Sequence, residues 1–131
     1  MSGILYGVGV GPGDPDLITL KALKILQSVP VIAYPAPEVG DSMARQIADQ
    51  HIPDGCREII IRMPLDPKRF PDRSAYDEAA VEISGLLSSG QDVAVLCEGD
   101  PFFYGSFMYL FNRLAENFKV EVIPGISSLM A

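Results

Sequence analysis

One junction constrains this chain more than any other feature. The apolar run Asp92-Val93-Ala94-Val95-Leu96-Cys97 leads without a break into Glu98-Gly99-Asp100-Pro101-Phe102-Phe103-Tyr104-Gly105-Ser106, which is glycine-rich and acidic. The run has the length and β-branched content of a central parallel strand, buried on both faces. Beyond the turn, Phe107, Leu110, Phe111 and Leu114 recur at helical spacing. A buried strand feeding a helix through a polar turn belongs to an open α/β sheet, where ligands sit beyond the carboxyl ends of strands. Residues 98–106 are therefore expected to form part of an active site.

The rest of the chain keeps the same alternation. Residues 4–10 read as a first strand, followed by a helical stripe of Leu20, Leu23 and Leu26 that ends before Pro30. Residues 31–34 form a short second strand, and Asp41 and Ser42 are placed to cap a helix carrying Met43, Ile47 and Ala48. The turn Pro53-Asp54-Gly55 opens a third strand over residues 58–62. Residues 63–72 hold three prolines and read as a loop. A long helix follows with Tyr76, Ala80, Ile83 and Leu87 inward and Gly90 at its C-terminal end. The fourth strand is 92–97, its helix runs to about Asn117, and residues 119–123 supply the fifth strand. This order predicts an α/β fold: a mostly parallel five-stranded sheet with helices on both faces.

Composition narrows the function classes. A length of 131 residues with 48% hydrophobic content suits one core. The net charge of −7 argues against nucleic acid, whose phosphates reward a basic surface. Cys56 and Cys97 lie too far apart for paired metal-ligand spacing or a disulfide framework, and Cys97 reads as a small core residue. His51, the only histidine, follows a helix near a turn and reads as packed or solvated. The first residues carry no signal-peptide pattern and no segment has the apolar length of a membrane span, so a cytoplasmic location without membrane partners is the default expectation. The final residues, with Ser127 and Ser128 where a helix N-cap belongs, read as the start of a further element in an incomplete polypeptide.

Three glycine-rich turns carry the chemistry. Gly7-Val8-Gly9-Val10-Gly11-Pro12-Gly13-Asp14-Pro15 fails the dinucleotide fingerprint in either frame, and no phosphate-binding P-loop run exists. Taken singly, each turn is more readily structural than functional, because α/β connections commonly need glycine. Taken together, the turns after strands one, four and five open on the same edge of a parallel sheet and imply a cleft. Glu98 and Asp100 there suit a ligand with a positive centre and hydrogen-bond donors, such as a sulfonium or amino acid moiety. An Asp-Pro step that simply builds a turn accounts for Asp100 equally well.

In order and spacing, Gly9-Val10-Gly11-Pro12-Gly13-Asp14-Pro15 with Leu17-Ile18-Thr19-Leu20-Lys21-Ala22, then Glu98-Gly99-Asp100-Pro101, then Val122-Ile123-Pro124-Gly125-Ile126-Ser127-Ser128, resemble the S-adenosylmethionine-dependent tetrapyrrole methylases. Ala33-Tyr34-Pro35, the loop ending at Phe70-Pro71 and the run from Cys97 to Phe107 are most similar to the branch that methylates C20 of precorrin-2 in cobalamin biosynthesis. The resemblance implies two α/β domains, residues 1–131 being the N-terminal one, with S-adenosyl-L-methionine held in a cleft between them in a homodimer. It implies cofactor contacts at Pro12, Glu98, Gly99, Asp100, Phe103, Ser127 and Ser128. Contacts from a second domain have no counterpart in this chain, so the chain alone is expected to be inactive.

Methyl transfer from a sulfonium is an in-line displacement that needs alignment and desolvation more than a strong acid. The methylated meso carbon must then lose a proton, and Glu98, Asp100 and Tyr104 are candidates to assist, none of them assigned as the base. Tyr104 is also a candidate substrate contact. The substrate carries many carboxylates, and residues 62–73 hold Arg62, Lys68, Arg69 and Arg73 against Asp66 and Asp72. Arg62 and Arg69 are the candidates to meet those carboxylates; a solvated loop of mixed charge explains any one of them as well. Two alternatives stay open: a methylase acting on another corrin intermediate or on uroporphyrinogen III, and a non-catalytic ligand-binding domain. Replacing Arg62 and Arg69 with alanine in the complete enzyme is expected to raise the substrate's Michaelis constant while sparing cofactor binding. An unchanged constant removes both from the site.

Overall fold

The computed structural model describes residues 1–63, 73–99 and 106–127. Its strands are β1 (Leu5–Gly9), β2 (Val31–Pro37), β3 (Arg57–Met63), β4 (Val93–Cys97) and β5 (Val120–Ile123), and its α-helices are α1 (Leu20–Ser28), α2 (Met43–Ala48), α3 (Arg73–Ser88) and α4 (Ser106–Leu114). The strands form one sheet in the order β3-β2-β4-β1-β5, and every pairing is parallel. Local chemistry sets the boundaries. Thr19 caps α1 by accepting from the Ala22 amide at 3.1 Å, and of the two candidate caps for α2 it is Ser42 that accepts, from the Arg45 amide at 3.2 Å. Gly90, at φ +92, ends α3 with its amide donating to the Leu87 carbonyl at 3.0 Å.

Alternation along the strands sends residues to two cores. On one face Leu5, Val31, Ala33, Ile59, Ile61, Val93, Val95 and Cys97 pack with Tyr76, Ala80, Ile83 and Leu87 of α3 and Phe107, Leu110 and Leu114 of α4. On the other, Val8, Ile32, Tyr34, Ala94 and Leu96 pack with Ala22 and Leu26 of α1 and Ala44, Ile47 and Ala48 of α2. The topology explains the division. From β1 the chain moves stepwise to β2 and β3 with α1 and α2 on one face, then returns to β4 and β5 with α3 and α4 on the other, as right-handed crossovers demand. β4 is buried at every position and lies between β1 and β2, whose chains leave on the opposite face from its own. Its carboxyl end is thus the topological switch point, where open α/β sheets form a crevice.

The inward stripe of α3 and the central burial of β4 agree with the sequence reading. The stripe of α1 differs: Ala22 and Leu26 face the core, and Leu20 is exposed because two residues at about 100° each carry it to the far side of the helix from Ala22. Met43 of α2 is likewise exposed. β2 runs three residues further than expected, through Pro35 and Pro37. Its pairing with β4 stops at Ala33, so beyond that point one side of β2 has no ladder and a missing N–H is tolerated. α4 ends at Leu114, and the chain continues to Asn117 as hydrogen-bonded turns, with the Ala115 amide on the Phe111 carbonyl at 2.9 Å. The proline-rich loop over residues 64–72 lies outside the described residues.

α4 is seated on the sheet by Phe107, which is fully buried against Gly7 of β1. A Cβ at position 7 would stand 2.6 Å from two carbons of that ring. Gly7→Ala is expected to lower stability by about 1–3 kcal/mol, the cost of overpacking a closed core, as a fall in the urea midpoint. Gly85→Ala, at an exposed position of α3 where a Cβ meets nothing within 4 Å, should raise stability by about 0.5–1 kcal/mol. Equal effects at the two positions would remove the Phe107 contact as the cause.

Candidate functional site

The three glycine-rich turns meet at the carboxyl end of the sheet. Gly11, after β1, and Gly99, after β4, form an antiparallel bridge in which the Gly99 amide donates to the Gly11 carbonyl at 2.8 Å and the Gly11 amide returns at 3.4 Å. Gly125, after β5, packs against Gly99 and against Gly9 at the end of β1. A Cβ on Gly125 would stand 2.2 Å from the Gly99 carbonyl oxygen and 2.8 Å from the Gly9 Cα, and one on Gly9 would stand 2.7 Å from the Gly125 Cα. Gly11 at φ +87 and Gly99 at φ +70 occupy the left-handed region that other residues rarely adopt. These glycines are structural singly and site-forming together, because their contact draws three turns to one point.

Around that point stand the residues singled out from sequence. Pro12 follows Gly11 and is half-buried; Gly99 is buried within the bridge; Ser127, two residues beyond Gly125, is buried. Glu98 is exposed and lines a cavity of about 230 Å³ with Pro35, Ala36, Pro37, Met43 and Ala44. Asp100, Phe103, Tyr104 and Ser128, and Lys68 and Arg69 of the basic loop, lie outside the described residues. Arg62 is apart from the glycine turns, on β3. Its Nη1 donates to the Pro37 carbonyl at 3.0 Å and the Gly40 carbonyl at 2.6 Å, so the side chain holds the turn between β2 and α2. It also lines a second cavity, of about 410 Å³, with Tyr34, Ala36, Ser42, Arg45 and Asp49 among others. Ala36 lines both cavities, with Glu98 on one and Arg62 on the other.

Sequence reasoning missed the polar network beneath the larger cavity. The Tyr34 hydroxyl and Arg45 Nε both donate to Glu58 Oε1, each at 2.7 Å, and Arg45 also pairs with Asp49 one helical turn on. Burial, then the bond to Glu58, pushes the Tyr34 hydroxyl up to about 12. The Arg45 guanidinium holds the Glu58 carboxyl below its ordinary value, and Glu58 in turn raises Arg45. The i,i+4 spacing of Arg45 and Asp49 is readable from sequence. The Arg45–Glu58 contact is not, because it joins α2 to a strand across the intervening turn.

A family model for the Tetrapyrrole (Corrin/Porphyrin) Methylases matches residues 4–131. The chain belongs to the tetrapyrrole methylases. Among its relatives in that family, the precorrin-2 C(20)-methyltransferase of Sinorhizobium sp is 40% identical over 98% of this chain and 58% of its own length. The probable cobalt-precorrin-2 C(20)-methyltransferase of Methanocaldococcus jannaschii is 38% identical over 97% of this chain and 54% of its own. The uroporphyrin-III C-methyl transferase of Thermus thermophilus, solved in complex with S-adenyl homocysteine, superposes with a TM-score of 0.67 at 27% identity, covering 98% of this chain and 47% of that one. The chain therefore spans about half the length of these methylases.

In this member of the family the cavity beside β4 has a distinctive lining. Glu98 is the single charged side chain among its described residues, and the remainder is apolar. A carboxylate at the rim of an apolar pocket favours a ligand with a cationic centre and an apolar body, which is the chemistry of a sulfonium cofactor. Among the described residues no helix is long and apolar enough to cross a membrane.

The Glu58 carboxyl, depressed in the folded chain, stabilises above its unfolded value, and that contribution is lost as pH falls through the folded value. Wild type should therefore exceed Glu58→Gln in urea midpoint at about pH 6, and the gap should narrow as the pH is lowered to about 3. A gap that is the same at both pH values would show that the carboxylate is not held by Arg45.

Proposed function

We propose that this chain is the first of two domains of a cytoplasmic, homodimeric enzyme that transfers a methyl group from S-adenosyl-L-methionine to C20 of precorrin-2 in cobalamin biosynthesis. The observation that carries the reading is the convergence of the turns at Gly11, Gly99 and Gly125 on the switch point of the sheet, beside the Glu98 cavity. The names of the relatives from Sinorhizobium and Methanocaldococcus support the substrate, and the S-adenyl homocysteine in the Thermus structure supports the cofactor.

The bound cofactor supplies an activated methyl group on a positively charged sulfur. The chain's own part is positioning. Pro12, Gly99 and Ser127 at the convergence, with Asp100, Phe103 and Ser128 from the adjoining segments, are the residues proposed to hold it. The glycines let backbone N–H and C=O groups approach a ligand without an intervening side chain. Glu98 balances the cationic centre before transfer and has less to balance afterwards, so its attraction favours the substrate form of the cofactor over the spent one. Arg62 lines the larger cavity within reach of a long substrate, and with Arg69 it is proposed to receive peripheral carboxylates.

Incubating the full-length protein with methyl-labelled S-adenosylmethionine and precorrin-2, and reading the labelled carbon by NMR, should place the label at C20. Glu98→Gln should weaken cofactor binding about tenfold by calorimetry, the loss of one charge-assisted contact. A folded, cofactor-binding protein that transfers no label would reject precorrin-2 as the substrate.

A further inference from the structure

Taking the Glu98 cavity as the place of the sulfonium cofactor, as proposed above, we infer that Glu58 is a positioning residue for that cofactor. Through Arg45 it sets how one wall of the cavity stands against the other. The first wall is Pro35, Ala36 and Pro37 at the end of β2, and the second is Met43 and Ala44 at the start of α2. Glu58 lines neither, yet it bonds the residue next to each. Tyr34, just before Pro35, and Arg45, just after Ala44, both donate to Glu58 Oε1 at 2.7 Å, and Arg45 Nη2 reaches Oε2 at 3.4 Å. One carboxylate on β3 thus joins both walls of a cavity it does not line.

The two bonds have different parts. The β2 wall is already held by the ladder to β3, in which Tyr34 pairs with Ile60 and Pro37 with Met63. The Tyr34 hydroxyl, fixed by that ladder and by its buried ring, therefore aims the carboxylate. α2 has no ladder. It is six residues long and buries Ala44, Ile47 and Ala48, too short a helix to hold its place by itself. The bond from Arg45 to Asp49 joins neighbouring turns of the same stretch of chain and does not tie that stretch to the sheet. Glu58 is the partner that belongs to the sheet, and a carboxylate that takes a guanidinium at both oxygens fixes direction as well as distance. Met43 and Ala44 follow wherever Arg45 is held.

The test uses the full-length protein and separates geometry from charge and from stability. Glu58→Gln keeps an oxygen that accepts from both donors, whereas Glu58→Ala keeps none. By calorimetry Glu58→Ala should weaken S-adenosylmethionine binding about tenfold, a size typical of residues that act on a ligand without touching it. Glu58→Gln should stay within about threefold of wild type although its urea midpoint falls with the lost charge. Tyr34→Phe should weaken binding on its own and add nothing in the Glu58→Ala background. Ile83→Val, a core truncation under α3 on the other face of the sheet, lowers stability and should leave the affinity unchanged. In the cofactor-free protein, hydrogen exchange at the Arg45 and Gln46 amides, which bond to Ser42, should quicken in Glu58→Ala and not in Glu58→Gln. Unchanged exchange, unchanged affinity in Glu58→Ala, or an equal loss of affinity in Ile83→Val would each overturn the role of Glu58 alone. A wild type that binds no S-adenosylmethionine while the exchange responds as expected would overturn the cofactor reading, and with it the role of Glu58 toward the cofactor.

Discussion

The backbone contact between the turns at Gly9 to Gly11, Gly99 and Gly125 is the constraint on which the rest of this structure depends. Parallel strands end with their chains diverging toward helices on opposite faces, and nothing in the ladder itself holds those turns together. Here the Gly11–Gly99 bridge continues the β1–β4 pairing past its last register pair, and Gly125 closes on it from β5. The approach is possible only without side chains, since a Cβ at Gly9 or Gly125 would fall within 3 Å of another turn's backbone. Where the site will be is thus fixed by main-chain packing. The neighbouring residues, Pro12, Glu98 and Ser127, inherit their placement from it.

The second half of the site is positioned by polar contacts. β2 loses its ladder to β4 after Ala33, so its last residues, which line the Glu98 cavity, rest on the β3 ladder and on side-chain anchors. Arg62 supplies one by holding the Pro37 and Gly40 carbonyls, and the Tyr34–Glu58–Arg45 group supplies another by tying α2 to β2 and β3. Burial of the Tyr34 ring, with its hydroxyl satisfied by Glu58, lets a polar network sit at the border of a hydrophobic core without an orphaned group.

How much of this was legible in sequence depends on whether the cause was local. The run over 92–97 read as a buried strand because apolar continuity is a property of the strand alone, and Tyr76, Ala80, Ile83 and Leu87 read as one face because helical period is equally local. The shared edge of the three turns followed from parallel topology. Leu20 misled because a leucine every three residues drifts around the helix, away from the face that Ala22 and Leu26 bury. The extension of β2 through two prolines depended on which neighbour the strand lacks, and the Arg45–Glu58 pair on a contact between elements; neither leaves a periodic trace. Family membership was legible because three separate motifs kept their order, and the match over residues 4–131 agrees.

The two cavities are joined through one side chain. Arg62 lies on the edge strand, borders Ile60, and through Nη1 fixes the carbonyls that end β2. Pro35, Ala36 and Pro37 of that strand end then form the apolar wall opposite Glu98. The wall has no ladder to β4 and is held instead by the β3 ladder and by Arg62. The geometry of the Glu98 cavity is therefore set from two sides: by glycine backbones packed together at the sheet's end, and by an arginine that holds the carbonyls where β2 ends.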